Sequence, residues 1–311
     1  MAERQDGSAV KNTFRIGGRR YGTFEVLAAA ICLAPAVALI VVFILWPMIQ
    51  VFYLSLTNWS LTKGTKDFIG LQNYSFLFGD GKFRQSIGTT LLYSFIKLPL
   101  DMVFALCCAL LLDQKLPLRR FFRSAYFAPV VVPIVASALI WVWFYDPGIG
   151  AFNQILALFG VKPLQWLNDE KTALLSIILF STWKGLGYDI IIFLTGLQSI
   201  PEVYIEAARI DGASPWQIFS RIKIPLLSPV IYFVVLMGII NSFKVFTEIS
   251  VMTPNGGPMY STAVMVYYIY ETAFTKSRFG RAAAASVVLF ALVLILTRIQ
   301  KGIGKKSVYV E

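Results

Sequence analysis

The sequence predicts an all-α, polytopic membrane protein with six spanning helices. Three observations carry that prediction: a lipid-like composition, six long apolar runs, and basic clusters that recur between the runs. The 311 residues are 57% hydrophobic and 14% charged, whereas a soluble domain carries about a quarter charged residues. A membrane helix needs about 20 mostly apolar residues. Residues 26–48, 87–112, 124–145, 172–200, 224–243 and 282–297 form runs of that kind.

The first run carries Pro35 and Pro47, which spanning helices tolerate. It comes after a polar stretch and is too long for the core of a cleavable signal peptide. The second is interrupted only by Lys97 and Asp101, and the fourth only by Lys184 and Asp189. The last is short, but Phe279 and a snorkelling Arg281 extend it. Residues 249–270 are also uncharged, yet Thr253-Pro254-Asn255-Gly256-Gly257-Pro258 breaks them early. The short apolar stretch beyond the break suits an interfacial or re-entrant helix better than a seventh span. Cys32, Cys107 and Cys108 lie in apolar runs and read as reduced, buried packing residues. Trp141 and Trp143, near a run's end, read as an interfacial belt, and Ala282 to Ser286 as a close-packing patch of small residues.

The net charge is +11, but the basic residues are not gathered into one patch, so nucleic acid is not an expected partner. Arg4, Lys11, Arg15, Arg19 and Arg20 precede the first run; Lys115, Arg119, Arg120 and Arg123 come after the second. Arg209, Arg221 and Lys223 come after the fourth, and Arg298, Lys301, Lys305 and Lys306 close the chain. Those sixteen basic residues alternate with segments holding nine, which places both termini in the cytoplasm. Lys276, Arg278 and Arg281 are the local exception. The sequence has no histidine, which excludes histidine-based metal sites and catalytic triads, and no metal site is expected.

The fourth loop, 199–225, is where local chemistry is most explicit. Pro201 and Glu202 suit the first turn of a helix. Gly212 suits the left-handed residue that ends one. Ser214, Pro215 and Gln217 form a capping box that starts another. Two short helices joined at a glycine corner make a fairly rigid knob on the cytoplasmic side.

This loop resembles the signature of the binding-protein-dependent ABC permeases. Glu206-Ala207-Ala208, then Gly212, then Ile222 and Pro225 stand at the signature's spacing, with Ile224 where leucine is usual. Phe68-Ile69-Gly70-Leu71-Gln72-Asn73-Tyr74, Trp183-Lys184 and Gly256-Gly257-Pro258 resemble the branch that includes maltose, lactose and glycerol-3-phosphate permeases. The resemblance runs from about residue 24 to residue 300. It implies a type I ABC importer permease fold in a bacterial cytoplasmic membrane. It implies a second, different permease, two ATP-binding subunits and an extracytoplasmic solute-binding protein as partners. ATP and magnesium would sit on the ATP-binding subunits; no phosphate loop is present here, since Gly302-Ile303-Gly304-Lys305 lacks the spacing. Glu206, Ala207, Ala208, Asp211, Gly212, Ile222 and Pro225 then form the ATPase-coupling loop. The implied division is a basic tail at 1–22, the first span and outer loop at 23–85, the transporter domain at 86–300 and a tail at 301–311.

Charge within hydrocarbon costs at least about 2.5–3.5 kcal/mol and marks functional candidates. Lys97 and Asp101 are four apart, as are Lys244 and Glu248, so each pair is expected on one helix face and bonded. Lys184 and Asp189 are five apart and match less well. Self-neutralisation within a helix is one reading. The other is a water-filled solute path lined by Trp183, Lys184, Tyr188, Asn241, Lys244 and Glu248, with aromatics for sugar rings and an amide for hydroxyls. A secondary, ion-coupled transporter is the rival function, but no matched halves or ion site is evident. A membrane enzyme would need a catalytic cluster, and none is found.

The orientation has a direct test. In a cysteine-free background, single cysteines at Lys66 and Lys162 should react with an impermeant thiol reagent from outside, and one at Gln114 should not. Labelling of Gln114 in intact cells would overturn the orientation.

Overall fold

The computed structural model describes residues 13–16, 19–60, 64, 66–114 and 119–307. Arg4, Lys11 and Lys115 of the basic clusters lie outside them. The chain divides into two units, Met1–Tyr53 and Leu54–Glu311. In the first unit, Thr13–Ile16 and Arg19–Gly22 pair as a short antiparallel hairpin, an element not expected of the basic tail. A helix starts at Thr23.

Among the described residues, four helices are long and apolar enough to cross a membrane: Val26–Ser55, Gly81–Asp113, Ala173–Gln198 and Phe279–Gly304. Two bent pairs bring the number to six, namely Ser124–Val131 with Ile134–Phe144, and Pro215–Leu226 with Ser228–Phe243. The all-α, six-span reading therefore holds, but the third and fifth runs are broken by 106° and 64° rather than straight. Proline is the cause in both. Pro133 caps the second arm of the third span and Pro229 opens Ser228–Phe243; neither can donate to the turn before it.

Proline also explains two wide turns. Trp46 N–H bonds the Val41 carbonyl, and Ile224 N–H bonds the Phe219 carbonyl, each five residues back. Pro47 and Pro225 come next in the chain. A proline ring presses on the carbonyl four residues before it, and widening the turn relieves the clash.

Residues 249–270 make no span. They form Thr247–Met252, two turns and Met265–Tyr270. Within this segment Val264 and Met265 are wholly buried. The reason is its wide apolar surface, which packs on the second and sixth spans. The alanines from Ala282 to Ala285 are buried, which lets Met265–Tyr270 and Gln72–Gly79 approach the sixth span. Cys32 and Cys107, expected buried, are exposed, and Cys108 is half-buried. They lie on the outer faces of apolar helices, where lipid rather than core is the surrounding. Trp143 is exposed, whereas Trp141 packs among Tyr145, Phe152, Phe180 and Trp183.

The second span packs most extensively on the fourth, and the third and fifth lie against that pair. Two apolar clusters result. One holds Tyr93, Phe180, Val245 and the 260–268 segment; the other holds Ala105, Ile190, Phe193, Leu227 and Val234. The third and fourth spans cross at Gly187, where an added Cβ would strike the Tyr126 carbonyl oxygen. Gly187→Val should therefore push the spans apart, at a cost of about 1–3 kcal/mol typical of overpacking. Thermal unfolding of the purified protein should show a lowered midpoint; an unchanged midpoint would mean the crossing is slack.

Candidate functional site

The 199–225 loop folds as its capping residues require. Glu202–Ile210 is helical. Gly212 takes φ +78°, its N–H bonds Arg209 O at 3.1 Å, and Ala213 N–H bonds Ala208 O at 2.9 Å. That is the paired closure of a helix ended by a left-handed glycine. The capping box is complete: Gln217 N–H donates to Ser214 Oγ and Ser214 N–H to Gln217 Oε1. The second arm continues through the wide turn at Pro225 to Leu226, then bends at the buried Leu227 into Ser228–Phe243.

Between the arms lies a cleft of about 500 Å³. Tyr204, Ala207, Ala208 and Asp211 line one side; Arg221, Ile222, Pro225 and Leu226 line the other. The two alanines keep the cleft open because nothing longer fills it. Glu206 is exposed, and Ile210, at 86% exposure, and Trp216, at 71%, present apolar surface on the same projection. Lys223 Nζ meets Asp113 Oδ2 at 3.3 Å, which ties the second arm to the end of the second span.

A second cavity, of about 460 Å³, lies within the spans. Lys184, Tyr188, Asn241, Lys244 and Glu248 all line it, with Lys97, Asp101, Asp189, Tyr93 and Ser181. Trp183 does not; it stacks on Trp141 at 5.1 Å. The cavity occupies the gap between the two apolar clusters. On the second and fourth spans, the polar residues fall between members of the two clusters: Lys97 and Asp101 between Tyr93 and Ala105, and Lys184 and Asp189 between Phe180 and Ile190. Asp101 Oδ1 is buried without a hydrogen-bond partner among the described residues and borders the cavity, and Ser181 lies there beside Tyr93 and Glu248.

The charges resolve differently from their spacing. Lys97 and Asp101 pair, as expected of residues four apart on one helix. Lys244 and Glu248 do not pair, which corrects the expectation. The helix ends at Phe243, Lys244 caps it, and a new helix begins at Thr247, so the four-residue spacing no longer sets a shared face. Lys184 does not bond Asp189. Its ammonium donates to the carbonyls of Pro129, Val130 and Val132, the last at 2.6 Å. These are acceptors freed where the third span breaks at Pro133. Spacing could not reveal a side chain bonded to another helix's backbone; the signal available was the Pro129 and Pro133 pair.

A broken-helix bundle with a polar mid-span cavity and a projecting, capped helix–glycine–helix loop defines the membrane-embedded subunit of a transporter. Residues 101–308 match the family described as the binding-protein-dependent transport system inner membrane component, and the chain belongs to that family. It is 35% identical over 272 residues to the probable ABC transporter permease protein YurN of Bacillus subtilis, covering 86% of this chain and 92% of that protein. It is 32% identical over 281 residues to the trehalose/maltose transport system permease protein MalF of Thermococcus litoralis, covering 90% and 95%. Among solved structures, a bacterial ABC transporter involved in the import of the acidic polysaccharide alginate superposes with a TM-score of 0.79 at 25% identity, over 91% of this chain and 96% of that one.

Removing the Lys184 amine tests the helix break. Lys184→Met leaves three carbonyl oxygens without that donor, two in part-buried and one in exposed bonds, so the cost falls toward the low end of the about 1–3 kcal/mol of a buried unsatisfied group. Purified Lys184→Met should unfold at a lower temperature than the parent. Equal midpoints would show that water caps the break instead.

Proposed function

We propose that this chain is the permease subunit through which an ABC importer moves a carbohydrate or related polyhydroxylated solute across a bacterial cytoplasmic membrane. A second permease of different sequence completes the pathway. Two ATP-binding subunits carry ATP and magnesium and supply the energy, and an extracytoplasmic receptor delivers the solute. The observation that carries the reading is the capped loop. Its Glu206, Gly212 and exposed Ile210 and Trp216 form a stiff projection, and its Lys223–Asp113 bridge reaches the second span. A docking partner that closes on such a projection can shift the spans without bending the loop.

The cavity supports the solute class. Asn241, Tyr188, Asp189 and Glu248 offer hydrogen-bonding groups suited to hydroxyls, and Asp101 Oδ1, without a partner among the described residues, can accept from one. The relatives that transport trehalose/maltose and alginate are consistent with it.

The coupling role is tested at two residues. A side chain at Gly212 meets about 1–2 kcal/mol of left-handed backbone strain, so Gly212→Val should misdirect the second arm. Glu206→Lys should place a positive charge against a basic group of the ATPase, at a cost of several kcal/mol typical of like-charge contacts. In proteoliposomes holding the assembled importer, both variants should lose receptor-stimulated ATPase activity and uptake while still inserting. Normal transport by correctly inserted variants would remove the loop from the mechanism.

A further inference from the structure

Lys276, Arg278 and Arg281 contribute to neither the loop nor the cavity, and they run against the distribution of basic residues in the rest of the chain. They border a recess of about 120 Å³ together with Thr57, Asn58 and Asn73. The recess is built rather than incidental. Asn73 Nδ2 donates to the carbonyls of Ser55 at 2.8 Å and Thr57 at 2.9 Å, and Gly280 N–H donates to Trp59 O at 3.0 Å. A Cβ at Gly280 would strike the Thr57 carbonyl, so the two walls meet at the closest approach backbone allows.

Charge and surroundings specify what fits. Lys276 bridges Glu271 at 3.2 Å, and Arg281 lies within electrostatic reach of Asp80. Arg278 is exposed and has no ion-pair partner among the described residues. These groups, with Lys66 over the Trp59 ring at 4.7 Å, leave positive charge in excess around the recess. The position is a membrane boundary: the first span ends at Ser55 and the sixth begins at Phe279. Aromatic rings flank it. Trp59 stacks on Phe279 at 4.8 Å, and Arg281 lies 3.4 Å from the centroid of the exposed Phe76 ring. Aromatic rings beside basic side chains at a span end suit the headgroup layer.

We infer that this recess holds the phosphodiester of an anionic membrane lipid, in the leaflet opposite the 199–225 loop. A phosphodiester's negative charge answers that excess at Arg278, and the recess admits a phosphate but not a protein segment with side chains. The inference is independent of which solute the cavity carries.

Native mass spectrometry of the full-length chain, purified with the subunits that accompany it, tests the assignment with phosphatidylglycerol as the probe. Arg278→Gln should bind that lipid roughly fivefold more weakly, the effect of one basic residue at a lipid surface. Arg278→Lys and the distant Lys162→Gln should bind it as the parent does. Equal binding by parent and Arg278→Gln overturns the proposal, as does an equal loss in Lys162→Gln. Sodium phosphate offered alone separates the lipid from a free anion: phosphate binding that depends on Arg278, with lipid binding that does not, overturns the lipid assignment. Arg278→Gln that keeps its lipid yet loses stimulation by the solute receptor assigns the surface to an acidic protein partner and likewise overturns it.

Discussion

The ammonium of Lys184 holds three carbonyl oxygens at the broken end of a neighbouring helix. Within the spans polar partners are few for either group. A lysine in the middle of a span and a helix interrupted by Pro133 are each costly alone. Together each removes the other's penalty. The break also fixes where the second arm, Ile134–Phe144, leaves the first, and Ile134 itself reaches the cavity wall. Position of the third span, shape of the cavity and placement of a charge within the spans thus depend on one cluster of hydrogen bonds.

That arrangement places a polar layer between two dry ones. The cluster around Ile190, Phe193 and Leu227 lies on the loop side of the cavity, and the cluster around Phe180 and Val264 lies on the other. Well-packed layers resist shear, because interiors are close-packed and bistable rather than continuously deformable. In the proposed cycle, displacement of the 199–225 loop would reach the cavity through rigid parts. The buried Leu227 would carry it into the fifth span, and the Lys223–Asp113 pair into the second.

The loop was legible in the sequence because its determinants are local. Gly212, Ser214, Pro215 and Gln217 act on backbone groups within a few residues, and each took its expected role. Span number and type were legible for the same reason, since long apolar runs admit few alternatives. The charges were less legible. Lys97 and Asp101 paired because their helix is continuous. Lys244 and Glu248 did not, because the chain leaves the helix between them with no proline or glycine to announce it. The partners of Lys184 are backbone carbonyls 52 to 55 residues away, and no residue type encodes a carbonyl. Trp183 was misplaced by a shared helix: its ring goes to Trp141, while Lys184, the next residue, turns to the cavity.

The six ionisable side chains of the mid-span cavity, Lys97, Lys184 and Lys244 with Asp101, Asp189 and Glu248, have formal charges that cancel. Moving one uncompensated charge through the field of an energised membrane involves about 2.3 kcal/mol for every 100 mV. A cavity whose wall sums to zero can open first to one side and then to the other without that exchange. In the proposed cycle the cavity wall carries no net formal charge through that field. Its contribution leaves the charge of the cargo to couple import to membrane potential.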